Sequence, residues 1–278
     1  MSTLLCLGDS ISDDGRYAAL VDMQLRLERK GVTLINAGVS SETASGLSEP
    51  DHPFPRPCVL GRLTRALELT QPDWVYAMYG INDGIYYPYS ADRAEAYLAG
   101  LTALARGVHA FGARLALGTP TPYEGGGLPD GAPKYSYMQP YEHYNEVMAR
   151  YAALVRDFGD AELIVDVFTP LMRAQSDGPL TQDGIHPGLR GHSIIAGELL
   201  RALFGCAAPD PDAHPALTDA ALRYNAAAHA RWKERIGHDN PNKSVPPTDE
   251  QLLKLGARYA DELRAVSPQA DIAGLTNT

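Results

Sequence analysis

Three short stretches of this sequence hold side chains that could do nucleophilic chemistry together. Residues 4–13 read Leu-Leu-Cys-Leu-Gly-Asp-Ser-Ile-Ser-Asp, an apolar run that enters a Gly-Asp-Ser turn ahead of a helix-like segment at about 16–29. Such a turn sets the Ser10 hydroxyl at the carboxyl end of a strand, beside unpaired backbone N–H groups and the positive end of a helix, where an oxyanion is stabilised. Ser10 is therefore the candidate nucleophile. Near the far end stands Asp183-Gly184-Ile185-His186-Pro187-Gly188, again just ahead of a helical stretch. His186 can accept the Ser10 proton and return it to a leaving group, while Asp183 bonds the other ring nitrogen and fixes the tautomer.

A tetrahedral intermediate also needs donors aimed at its oxyanion. The backbone N–H groups of Ser10 and Gly38 and the side-chain amide of Asn82, in Gly80-Ile81-Asn82-Asp83-Gly84, would supply three. Glycine at 38 permits a close backbone approach. Gly, Asp and Ser are ordinary turn residues as well, so the weight rests on the set rather than on any one tripeptide. Ser40 and Ser41 compete with Ser10 as nucleophile, and Asp9, Asp13 and Asp83 read as caps and loop supports.

The elements that must carry these residues are five apolar runs at 3–7, 33–36, 74–79, 114–118 and 162–168. They alternate with helical patterns at 15–30, 59–70, 91–111, 141–158 and 189–204. This alternation signals an α/β fold, a flavodoxin-like three-layer α/β/α sandwich around a five-stranded parallel sheet. Ligands of open parallel sheets bind outside the carboxyl ends of the strands, where strand order reverses. With the first strand between the second and third, Ser10, Gly38 and Asn82 converge there. The order Ser, Asp, His is that of α/β-hydrolases, but their Gly-x-Ser-x-Gly elbow is missing.

The four blocks Gly8-Asp9-Ser10-Ile11-Ser12, Asn36-Ala37-Gly38, Gly80-Ile81-Asn82-Asp83 and Asp183-Gly184-Ile185-His186 together resemble the SGNH, or GDSL-type, hydrolases. The resemblance implies Ser10 as nucleophile, Gly38 and Asn82 as oxyanion donors, and His186 with Asp183 as the acid–base pair. The first block departs in its stretched Asp13-Asp14-Gly15. The resemblance covers a catalytic domain at 1–206, and residues 207–278 lie outside it as a helical extension.

In that extension Pro209, Pro211 and Pro215 mark a linker, followed by helical patterns at 216–236 and 249–266 joined by a loop at 237–247. Trp232, between Arg231 and Lys233, is a candidate docking anchor. The extension is expected to pack on the chain's own body, with a homo-oligomer through these helices as the alternative, and to fray from Ser267 onward.

Two long loops suggest a binding edge: 46–57, with four prolines, and 119–140, with Gly125-Gly126-Gly127. Tyrosine outnumbers phenylalanine fifteen to five, and many tyrosines follow strands three and four. Tyr86, Tyr87 and Tyr123 are candidate substrate contacts, an apolar face with a polar handle. Core packing explains part of the tyrosine set equally well. The other histidines, at 52, 109, 143, 192, 214, 229 and 238, lack triad or metal spacing and read as surface, capping or packing residues. Of these, His192, on the helix after His186, and His143, amid the tyrosine-rich loop region, have the strongest claim to the site.

A net charge of −10 with no basic run argues against nucleic acid or an anionic membrane as partner, and favours solubility and small neutral ligands; the partner expected from the site itself is a small-molecule ester substrate. Three cysteines without metal spacing suggest buried thiols in a reducing compartment. No stretch reaches the roughly 18–20 apolar residues of a membrane span, no leader is evident at the start, and a cytoplasmic protein is expected. The chemistry requires neither metal nor organic cofactor. The expected activity is that of a serine esterase forming an acyl-enzyme, with a short, acetyl-like acyl group on a carbohydrate or similar small polar alcohol. A lysophospholipase or thioesterase for longer chains, and a catalytically silent binding protein, are the alternatives.

Overall fold

In the computed structural model, which describes residues 2–276, five strands form one sheet. They are β1 (Ser2–Gly8), β2 (Val32–Asn36), β3 (Trp74–Met78), β4 (Arg114–Gly118) and β5 (Leu163–Val165). The order is β2-β1-β3-β4-β5 and every neighbouring pair is parallel. Leu4 to Gly8 are buried in succession, so both faces of β1 are covered, as a near-continuous apolar strand requires. The covering helices are α1 (Ser10–Asp14), α2 (Arg16–Leu27), α3 (Leu63–Thr70), α4 (Ala91–Phe111), α5 (Tyr144–Arg156), α6 (Phe168–Gln175) and α7 (Leu189–Phe204). The extension adds α8 (Pro215–Ile236) and α9 (Asp249–Val266). This is the α/β architecture expected from the alternation of patterns. Strand order reverses between β1 and β3, and the loops leaving β1, β2 and β3 therefore open on one edge.

Local chemistry moves several boundaries. The helix expected at 15–30 is α2, and a further short helix, α1, precedes it, because the chain turns at Gly15, with φ of +79°, a conformation glycine adopts without a Cβ clash. That break leaves Ser10 as the first residue of its own one-turn helix. Strand β5 stops at Val165 rather than 168: the Asp166 carboxylate accepts the Thr169 N–H at 3.1 Å, and α6, with Pro170 in its first turn, begins instead. Leu163, Ile164 and Val165 alone pair with β4.

Helix α8 packs against α2, β2 and α9. A buried pair on α2, Asp22 with Arg26 at 2.9 Å, is the anchor. The Asp22 carboxylate also accepts from Asn225 at 3.3 Å and from the Tyr259 hydroxyl at 3.0 Å. Arg26 donates to the carbonyls of Asp271 and Ala273. Buried charges persist when their hydrogen-bonding capacity is filled in this way. The segment expected to fray from Ser267 instead folds back: the Asp271 N–H bonds the Arg26 carbonyl at 2.9 Å and Leu275 is buried. Residues 277 and 278 of that expectation lie outside the described residues. Among the described residues no helix is long and apolar enough to cross a membrane. Cys6 is a buried free thiol, pushed up to about 12 by burial, which suits packing rather than reaction.

Candidate active site

Ser10 leaves β1 capped by its neighbour, since the Asp9 carboxylate accepts the Ile11 N–H at 3.0 Å. Its hydroxyl lies 2.8 Å from His186 Nε2. The other ring nitrogen, Nδ1, lies 2.6 Å from Asp183 Oδ2. The second carboxylate oxygen accepts the backbone N–H groups of Ile185 and His186 at 2.9 and 2.8 Å, which fixes the carboxylate within its own turn. Burial pushes the Asp183 carboxyl upward. The bonds from the His186 ring and from the two backbone N–H groups outweigh it and hold the group below the ordinary carboxylate range.

The turn bearing Asp183 and His186 is braced by a residue that sequence pattern did not single out. The Glu124 carboxylate accepts the N–H groups of Leu180 and Thr181 and the Thr181 hydroxyl, at 2.9, 2.6 and 2.8 Å, and the Glu124 N–H bonds the Gly184 carbonyl. Tyr123 lies against Gly184 and donates to the Gly126 carbonyl at 2.7 Å. It supports the turn and is not part of the cleft wall expected of it.

Asn82 follows β3 and is buried. The Tyr86 hydroxyl donates to its Oδ1 at 2.9 Å, and its Nδ2 donates to the Glu42 carbonyl at 3.2 Å. The amide is thereby oriented with one N–H left for a ligand. Replacing Asn82 by alanine is expected to lower kcat on p-nitrophenyl acetate by about 10²–10³ with KM little changed. A loss under fivefold in steady-state assays of folded protein would remove Asn82 from the donor set.

Gly38 does not take the place expected of it. Its N–H is donated to Asn36 Oδ1 at 3.0 Å and its carbonyl accepts from His229 Nε2 at 3.0 Å. A Cβ at 38 would sit 2.5 Å from the Ser12 and Asp13 backbone, so the glycine allows β2's exit loop to pass α1 rather than to approach a ligand. Three residues on, Ser41 lines the cleft with a φ of +64°, and among the described residues neither its N–H nor that of Ser10 has a hydrogen-bond partner. Ser41 is the backbone donor that the geometry offers in place of Gly38. Ser40 is no rival nucleophile, because its hydroxyl is donated to Asp13.

The cleft beside Ser10 measures about 270 Å3 and is lined in part by both long loops. His52 and Phe54 from one and Tyr137 from the other contribute walls, with the His52 and Tyr137 rings 5.7 Å apart. His52 thus has a place at the site that its lack of motif spacing hid. Tyr86 lines the cleft as expected, and Arg56, paired with Glu49 at 2.6 Å, lies over its ring. Tyr87 faces elsewhere, packed on Tyr135 and Arg93. His192 is buried and pushed down to about 3 by burial, and it accepts the Tyr17 N–H rather than approaching Ser10. His143 lies beside Glu142 and Glu146. Among the described residues no group of three His, Cys, Asp or Glu side chains is placed to hold a metal ion.

Comparison with known proteins gives the family and the fold. The family model of the GDSL-like Lipase/Acylhydrolase family matches residues 6–194. No curated protein sequence matches the chain. Among solved structures, a catalytic mutant of Axe2, an acetylxylan esterase from Geobacillus stearothermophilus, superposes with a TM-score of 0.54 at 24% identity, over 72% of this chain and 93% of that one. The psychrotrophic esterase EstA from Pseudoalteromonas sp. gives 0.51 at 22% identity, over 73% and 97%. The acetyl xylan esterase AlAXEase gives 0.54 at 18% identity, over 73% and 100%. These likenesses establish a shared fold. With more than half of its length matched by the family model, the chain belongs to the GDSL-like lipase/acylhydrolase family and is a carboxylic ester hydrolase.

Proposed function

We propose that the chain is a serine esterase that cleaves short acyl esters, acetyl esters in first place, of a carbohydrate or similar small polar alcohol. The observation that carries this is the Ser10–His186–Asp183 hydrogen-bonded chain opening on a cleft of only about 270 Å3. Ser10 Oγ attacks the ester carbonyl while His186 Nε2 takes its proton, and the imidazolium is held by Asp183. The oxyanion forms against the N–H groups of Ser10 and Ser41 and the Asn82 amide. Collapse expels the alcohol with the proton from His186, and water then repeats the sequence on the acyl-enzyme.

Tyr86 and Arg56, stacked on one another, are among the walls of this small cleft, whose size suits a small acyl group better than a chain. On its other side His186 borders a second, larger cleft of about 640 Å3 that includes Asp14, Arg16, Gln182 and Arg190. Such polar walls suit the hydroxyl groups of an alcohol moiety. The acetylxylan esterases among the structural neighbours support the same reading. A p-nitrophenyl ester series tests it. The rate should peak at the acetyl or propionyl ester and fall steeply by the hexanoyl ester, whereas a maximum at eight carbons or beyond would replace this reading with that of a long-chain acylhydrolase.

A further inference from the structure

Helix α8 and the loop after it reach back to the segment that holds Ser41. From α8, His229 Nε2 bonds the Gly38 carbonyl at 3.0 Å, and Lys233 Nζ pairs with Asp13. Asp13 in turn accepts the N–H of Ser40 at 3.1 Å and its hydroxyl. Beyond the helix, Asn240 is 2% exposed, and its Nδ2 donates to the Ser40 carbonyl at 2.7 Å. Its Oδ1 accepts the Asn242 N–H at 2.8 Å, so both ends of the amide are engaged and its orientation is settled. Asn242 itself lines the cleft beside Ser10.

The Ser40 carbonyl and the Ser41 N–H belong to one peptide unit. The chain has no cis peptide bond among the described residues, and in a trans unit the two groups point in opposite directions. Fixing the carbonyl toward Asn240 therefore fixes the N–H away from it, and that N–H has no hydrogen-bond partner among the described residues. A donor at the carbonyl also polarises the N–H at the other end of the unit. The hold has work to do, because Ser41 sits at φ +64°, a region that a serine leaves unless its surroundings enforce it. The family match ends at residue 194, so Asn240, His229 and Lys233, unlike Asp13, belong to a segment the family model does not include.

We propose that the C-terminal extension is part of the catalytic apparatus, with Asn240 as a positioning residue that orients the Ser40–Ser41 peptide so that the Ser41 N–H serves the oxyanion. This rests on the acyl-enzyme reading of Ser10. The test compares the wild type with Asn240→Asp, which is isosteric but cannot donate to the carbonyl, and with Asn240→Ala. Each is assayed for kcat and KM on p-nitrophenyl acetate, for inhibition by a trifluoromethyl ketone that forms a tetrahedral adduct on serine, and for thermal unfolding.

The expected result for both variants is a 10- to 100-fold loss in kcat with KM within about threefold, and a loss of trifluoromethyl ketone affinity parallel to the loss in kcat/KM. Labelling of Ser10 by a fluorophosphonate should persist at a reduced rate. A folded Asn240→Asp variant with kcat within twofold of wild type would overturn the proposal. So would a loss of activity with unchanged ketone affinity, or a failure of both variants to fold, each of which would make the contact a structural clamp only. Absence of a fluorophosphonate adduct in the wild type would instead sink the underlying reading of Ser10, so the two failures are distinguishable.

Discussion

His186→Ala is expected to reduce kcat by on the order of 10⁵–10⁶ on a short ester while leaving the fold intact. The Ser10 hydroxyl has its Nε2 as partner at 2.8 Å, and without it the proton must pass to water in a step that water performs poorly. The ring lies at the open mouth of the site, so its removal leaves no buried cavity, and thermal unfolding should move little. The same assignment fixes the sign of the pH dependence. Asp183 is held below the ordinary carboxylate range and stays ionised from pH 5 upward, so protonation of this carboxylate does not limit the rate there. A protonated imidazole cannot take the serine proton. Activity should therefore be lost on acidification while Asp183 is still ionised, and a flat profile from pH 5 to 8 would contradict the role of His186.

Arg62→Met is expected to destabilise the protein by about 3–5 kcal/mol, a drop in Tm of roughly 6–20 °C. Arg62 bonds Glu42 through two N–H groups at 2.6 Å each, and the Glu42 side chain has no exposure at all. The Tyr79 hydroxyl adds a third bond to that carboxylate at 2.7 Å. Burial opposes the charge on Arg62, and the neighbouring Glu42 more than restores it. With arginine gone, a buried carboxylate is left facing a thioether. Because the Glu42 carbonyl also receives the Asn82 amide, activity should fall along with stability. The double variant that adds Glu42→Gln should recover part of the lost Tm, since it removes the stranded charge. A Tm shift of less than 3 °C in the single variant, followed by circular dichroism, would show that the pair carries little of the loop's stability.

Residue types that carry their chemistry in the side chain were readable from sequence. Ser10, Asp183 and His186 lie in local turns whose spacing fixes much of their geometry, and the structure brings the three into one hydrogen-bonded chain. The strands were readable because five apolar runs alternate with helical patterns, and β1, β3 and β4 are buried along most of their length. Gly38 shows the limit of that kind of reading. A backbone N–H donor has no side-chain signature, and glycine records only that something comes close, which here is the α1 backbone. Nothing in the type of Ser41 announces a positive φ, because serine has no preference for that region.

Two of the three tyrosines, Tyr87 and Tyr123, fail for a related reason. Tyr86, Tyr87 and Tyr123 share composition and proximity in sequence, yet one orients Asn82, one packs on Tyr135 and one supports the Gly184 turn. Direction is set by tertiary contacts. Asn240 is 200 residues from its partner Ser40, and a contact of that range leaves no periodic trace in the sequence.

The most direct measurement is the mass of the intact protein after treatment with a fluorophosphonate, with peptide mapping of the adduct and a parallel assay on p-nitrophenyl acetate. A single adduct on Ser10, with both adduct and hydrolysis abolished in Ser10→Ala, is the predicted result. An unlabelled but folded wild type, or an adduct that maps to Ser40, Ser41 or any other residue and survives in Ser10→Ala, would contradict the assignment of Ser10 as the nucleophile.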